Sequence, residues 1–307
     1  MKKNFLFILL LTLSSLFSFA QDGAIDTTGV KVKDKPVLAP FASGILIDAQ
    51  TTFIPAVKTL EALIQHKFGT IENGRSDLWG IYAAGANIRL GLNYVIIKNF
   101  QIGAGITKKS MTTDLNAKWS ILKQTRKNTV PVAVALYANV AIDGRNISAF
   151  ESGTVREAYS GPTGNFKFPD RLSYFSQIII GRKFTDWFSV QAGASFTHYN
   201  SVGVLYDHDK IGIHVNGRIK VSPQGSIIFN YDKPLRVKDI SEQHQWTDHP
   251  KLNMAFGYEV STGSHAFQIY MSAANGLLPQ DNIMWNQNDF SEGQLSVGFV
   301  ITRLYGF

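Results

Sequence analysis

Charged side chains stand at alternate positions inside runs that are otherwise apolar, and this spacing bounds the chemistry open to the chain. Lys67, Arg89, Lys118, Lys183, Arg218 and Lys220, with His214, fall on the less apolar face of their runs, against the carboxylates Glu61 and Glu259. If those faces line one enclosed space, an excess of positive charge inside a low-dielectric wall favours anionic solutes. The same cations could instead pair with carboxylates from loops or from the N-terminal region and hold a plug. Nucleophilic catalysis would need a serine beside a histidine and an acid. His198, Asn200 and Ser201 lie close in sequence at one strand end, and Ser264-His265 lies at a tight turn. A triad is defined by geometry and not by proximity along the chain, so neither set is assigned a catalytic role. Asp207-His208-Asp209, with His244 and His249, lacks any fixed metal-ligand spacing and reads as loop residues. Gly103 and Gly105 sit within an alternating run with no helix to follow, which excludes a phosphate-cradling loop. No metal and no cofactor is expected.

The elements that must position these residues are strands. In Ala86 to Ile96 the even positions are apolar, whereas Asn87, Arg89, Gly91 and Asn93 form the other face. The pattern recurs with Phe100, Ile102, Ala104 and Ile106, with Leu115, Ala117, Trp119 and Ile121, and with Ile211, Ile213, Val215 and Ile219. Runs of about ten residues suit a tilted membrane-crossing strand better than the five or six of an average soluble strand. Thirteen runs can be drawn, at 44–54, 58–70, 85–96, 99–108, 112–124, 130–142, 171–184, 187–200, 209–220, 225–232, 251–261, 265–273 and 294–305. Connections one, three, seven, nine and eleven are tight and the fifth modest, whereas most even-numbered ones are long, the fourth being a short exception; this is the arrangement of outer-membrane barrels with periplasmic turns and extracellular loops. That parity would start run 44–54 outside the cell, although the chain is delivered from the periplasm. The run is therefore set aside, leaving twelve strands, an even number. The expected fold is all-β, an antiparallel transmembrane β-barrel of about twelve strands.

Composition agrees with a chain that shows much of its surface to lipid. Of 307 residues, 17% are charged, below the roughly 25% of soluble domains, and 45% are hydrophobic. The absence of cysteine excludes a disulfide scaffold. A net charge of +7 without a clustered basic patch excludes a nucleic-acid footprint. Lys2 and Lys3, the apolar stretch Phe5 to Leu13 and Ser18-Phe19-Ala20 predict a cleaved leader. The expected organisation is a signal peptide at 1–20, a periplasmic or lumen-lying extension at 21–57, and a barrel at 58–307 in the outer membrane. Tyr94, Phe100, Phe184, Trp187 and Phe188 beside tight turns suit an interface girdle. Val297, Phe299, Ile301, Tyr305 and Phe307 share one face of the last strand, a pattern that barrel-assembly machinery could recognise. Outer-membrane lipid is the other expected partner, with an envelope protein as a further possibility.

The stretches Gln65 to Thr70, Ser76 to Tyr82, Asn87 to Tyr94, Arg171 to Phe175, Ser264 to Gln268 and Asn286 to Phe290 resemble a family of bacterial outer-membrane β-barrels, domain of unknown function 5777. The resemblance spans roughly residues 45 to 305 and implies an exported barrel; it carries no catalytic or binding residues across. The expected function is a narrow passive channel or solute-uptake protein favouring anionic solutes, and not an enzyme. The alternatives are a structural component docking an envelope partner, or a barrel hydrolase.

Overall fold

A computed structural model describes residues 34–148, 167–202, 206–243 and 249–307. The first strands, β1 (Ile45–Leu46) and β2 (Ala49–Gln50), form a small hairpin. Twelve longer strands follow: β3 (Thr59–Thr70), β4 (Asn87–Ile97), β5 (Phe100–Thr107), β6 (Thr112–Leu122), β7 (Ala133–Ile142), β8 (Leu172–Lys183), β9 (Phe188–Tyr199), β10 (Asp209–Lys220), β11 (Gly225–Leu235), β12 (Asn253–Ser261), β13 (His265–Ser272) and β14 (Ser296–Gly306). Each pairs antiparallel with its chain neighbours, and β14 pairs with β3 to close the barrel, Val300 opposite Gln65 and Tyr305 opposite Leu60. Closure leaves no unpaired edge, which a lipid environment requires.

The alternation in sequence becomes the two faces of the wall. Along β4, Asn87, Arg89 and Gly91 are buried inward, whereas Ile88, Leu90 and Leu92 are exposed outward. The same outward exposure is seen at Ile106, Leu115, Trp119, Ile178, Ile213 and Ile269. An apolar surface this continuous is unstable in water and stable against acyl chains. Turns on one side are tight. Asn99 takes φ 69° between β4 and β5, a left-handed conformation that asparagine tolerates. Phe184 and Trp187 stand exposed at the β8–β9 turn, and Phe184 stacks on Phe188 at 5.8 Å. On the opposite side the connections are longer, apart from the short β5–β6 link at 108–111, and the one between β13 and β14 carries a helix, Pro279–Trp285, with Gln280, Asn282, Ile283 and Met284 buried.

Run 44–54 is no barrel strand: it supplies the hairpin, whose residues are buried within the lumen. The chain reaches it along the turn side of the barrel. Pro36 bridges Thr125, the Val37 N–H donates to the Gln124 carbonyl at 2.8 Å, and the Asp34 carboxylate accepts from the backbone N–H of Lys127 at 3.0 Å. Partial burial works against the Asp34 anion, but hydrogen bonds from Thr125, Lys127 and Thr129 outweigh it and hold the carboxyl at about 2.

Candidate functional site: a lumen filled from both ends

The hairpin joins the wall by a small apolar core and a set of polar clamps. Phe41, Ile45, Leu46 and Ile47 pack against Leu63, Ile228, Ala255, Tyr270 and Val300, inward residues of five strands. A hairpin this short leaves most of its backbone groups unpaired, and buried unpaired groups are costly, so wall side chains must supply the partners. The Glu61 carboxylate accepts from Gly44 N–H at 2.8 Å, and Lys118 Nζ donates to the Gly44 carbonyl at 2.8 Å. Gln268 serves twice, accepting from Ile47 N–H at 2.7 Å and donating to the Ile45 carbonyl at 3.1 Å. Gln191 accepts from Thr52 N–H at 3.0 Å.

A second insert comes from the long-loop side. Gln280 of the Pro279–Trp285 helix donates to Asn139 Oδ1 at 2.7 Å, and Asn139 donates to Asp114 at 3.0 Å. Asp114 in turn receives both arms of Arg89, at 2.8 and 2.7 Å. Gly105 leaves room for this pair, because a Cβ would lie 2.5 Å from the guanidinium and 2.7 Å from Asp114 Oδ1 and would force the two side chains to shift. Ile283 of the helix packs on Tyr137, Phe175 and Ile179.

The two inserts meet on one ammonium group. Lys67 Nζ is ion-paired with Asp48 of the hairpin, donates to the carbonyls of Ala274 at 2.6 Å and Gly276 at 2.9 Å, and reaches Ser272 Oγ at 3.3 Å. Its side chain is fully buried.

Of the sequence-predicted lumen residues, Lys67, Arg89, Lys118, His214, Arg218, Glu61 and Glu259 are buried on inward faces. Lys183 and Lys220 lie instead at the turn-side rim, Lys183 paired with Asp186 at 3.1 Å and donating to the Leu38 carbonyl at 3.2 Å. The expected excess of buried positive charge is corrected by the structure. Asp114 and Asp232 are inward and buried as well, and Asp48 arrives with the hairpin. Asp114 was legible, since it continues the face of Asn116 and Lys118 by one step. Asp48 was not, because nothing local in run 44–54 says where it docks. Arg218 pairs with Glu259 at 3.4 Å.

His66 lies on the outward face, stacked on Phe299 at 5.1 Å, and His198 pairs with Asp209 at 2.6 Å. Ser264 and His265 are exposed at a turn. His208 contacts the Tyr199 carbonyl and Asp207 accepts from Gln243 N–H. His244 lies outside the described residues, and among those described no group of three metal-ligating side chains converges.

A vestibule of about 590 Å³ opens on the turn side, between the hairpin segment and the wall. Phe41, Phe53 and Trp187 give it apolar walls, and Lys183, Arg218 and Lys220 point charge into it against Asp186. Among the described residues Lys220 takes part in no ion pair.

A closed antiparallel barrel with an apolar outer belt and a polar, plugged lumen defines an integral outer-membrane β-barrel. Residues 41–305 match the profile of the family described as a membrane-bound beta barrel domain, domain of unknown function 5777, and the chain belongs to that family. The match begins within the lumen segment, ahead of the first barrel strand. No curated protein matches the sequence. Among solved structures, the chain is similar to the KdgM porin (7% identity, TM-score 0.45, covering 81% of this chain and 99% of that one). It is also similar to the COG4313 outer membrane channel from Pseudomonas putida F1 (10% identity, TM-score 0.47, covering 82% and 97%) and to the NanC porin (7% identity, TM-score 0.46, covering 81% and 99%).

Proposed function

We propose that the chain is a plug-gated passage for small anionic solutes across the outer membrane. The observation that carries this reading is the vestibule, where Lys183, Arg218 and Lys220 converge against Asp186 beside the plug segment. Deeper in the lumen Lys67 and Arg89 are paired with carboxylates, so selectivity is set where positive charge meets solvent at the mouth. A cationic mouth in a low-dielectric wall raises local anion concentration, and the effect weakens as salt screens it. The hairpin is the gate, because beside its small apolar core it is held to the wall by hydrogen bonds and one ion pair, which water can replace when it moves.

Reversal potentials across a planar bilayer under a potassium chloride gradient test this. The wild-type channel is expected to be anion-selective, and Lys183→Gln with Lys220→Gln to bring it close to unselective. Cation selectivity, or no change in the double variant, would overturn the anion reading. The filled lumen also favours a second reading, a structural barrel that docks an envelope partner, and lack of conductance even from a plug-loosened variant would select it.

A further inference from the structure

Inside the lumen, beneath the Pro279–Trp285 helix, three adjacent strands bring together a serine, a histidine and an aspartate that sequence proximity did not reveal. The Ser195 hydroxyl of β9 lies 2.7 Å from His214 Nε2 of β10, and His214 Nδ1 lies 2.7 Å from Asp232 Oδ1 of β11. Register explains the geometry: His214 is opposite Asp232 on one side and Gly193 on the other, and Ser195 is opposite Gly212. Gly212 keeps the path clear, because a Cβ there would stand 2.7 Å from Ser195 Oγ and 3.1 Å from His214 Nε2.

The hydrogen bonds fix the direction of the chain. Asp232 Oδ2 accepts from the amide groups of Asn230 at 2.7 Å and Asn253 at 2.9 Å, so the carboxylate acts as an acceptor throughout. Its Oδ1 therefore takes the Nδ1–H of His214. In the neutral imidazole Nε2 is then an acceptor, and the Ser195 hydroxyl donates to it. This is the polarity a general base needs to activate a serine.

A second, independent feature points to a ligand. Buried polar atoms are nearly always hydrogen-bonded. Three here are not: Thr197 Oγ1, Asn216 Oδ1 and Asn230 Oδ1, in side chains no more than 2% exposed. Each lies two residues from a member of the trio, on the same strand and face. Thr197 flanks Ser195, and Asn216 and Asn230, register partners of each other, flank the His214–Asp232 pair, so unfilled hydrogen-bonding capacity borders the trio and marks a place for a polar molecule; the Thr197 hydroxyl can also donate to an oxyanion. Ile283 of the overlying helix covers the spot, its Cδ1 2.8 Å from where a Cβ on Gly212 would stand.

We propose that Ser195, His214 and Asp232 form a lid-covered serine acyl-transfer centre for small polar esters, entered from the long-loop side when the Pro279–Trp285 helix lifts. Ser195 Oγ bonds to the ester carbonyl carbon as its proton passes to His214 Nε2. Collapse of the tetrahedral intermediate breaks the bond to the alkoxy oxygen, which leaves with that proton as the alcohol. Water then attacks the acyl-serine, giving its proton to Nε2, and the carboxylic acid departs as Ser195 regains its hydrogen. Asp232 is a positioning residue that holds the imidazole in the required tautomer.

An alkyl fluorophosphonate applied to the full-length folded protein in detergent tests the assignment. Labelling is expected at Ser195 by peptide mass spectrometry, absent in Ser195→Ala, slowed about a hundredfold or more in His214→Gln, and faster in Ile283→Ala, which loosens the lid. Heat-modifiable migration establishes that each variant is folded, and Ile283→Val replaces Ile283→Ala should the larger truncation misfold. If Ser195 is not labelled in the wild type or in the folded lid variant, or if His214→Gln leaves the rate unchanged, the trio is a structural relay and the proposal fails. Anion conductance is measured separately, so its loss would leave this outcome intact.

Discussion

At the scale of single residues, Lys67 has the most consequential position in the lumen. It is fully buried, and it ties the hairpin, through Asp48, to the carbonyls of Ala274 and Gly276 from the opposite insert. Removing one member of a buried pair leaves an uncompensated charge, whereas replacing both with groups of similar volume can be nearly neutral. Lys67→Met is therefore expected to lower stability by about 3–5 kcal/mol, and Lys67→Met with Asp48→Asn to recover most of that loss. Denaturant titration of the folded protein in detergent reads both. Equal losses in the single and double variants would mean that the pair holds nothing together. This pairing was one of two readings the sequence offered for its inward cations. Arg89 and Arg218 also find carboxylate partners within the lumen and Lys118 donates to the Gly44 carbonyl, whereas at the rim Lys220 is in no ion pair among the described residues.

At the scale of elements, period-two alternation located the wall with little error. The expected run 209–220 is β10 residue for residue, and 112–124 is β6 with a slightly late end. What alternation cannot supply is the filling of the lumen, because it reports only which face a side chain takes. The hairpin's docking rests on Glu61, Lys118 and Gln268, all distant in sequence, and the Pro279–Trp285 helix lies within a connection whose length alone was visible. The Ser195–His214–Asp232 trio escaped for the same reason, since it depends on the register of three strands. The faces themselves are open to a direct test. Val215 is outward near the middle of β10, so Val215→Arg should cost about 2–4 kcal/mol in a bilayer. A neutral result in reversible folding into vesicles would invert the assigned faces.

At the scale of the whole molecule, two inserts fill one barrel from opposite ends and meet at a single side chain. A twelve-stranded wall lies between barrels small enough for side chains to fill and those with an open channel, so the inserts decide whether anything passes. The central claim is that the N-terminal segment is the gate. Single-channel recording in planar bilayers, comparing the full chain with a form lacking residues 21–54, tests it most directly. The account predicts small or rare conductance steps from the full chain and steps several-fold larger from the shortened one, with both proteins folded by heat-modifiable migration. A folded shortened barrel whose conductance does not exceed that of the full chain would contradict it.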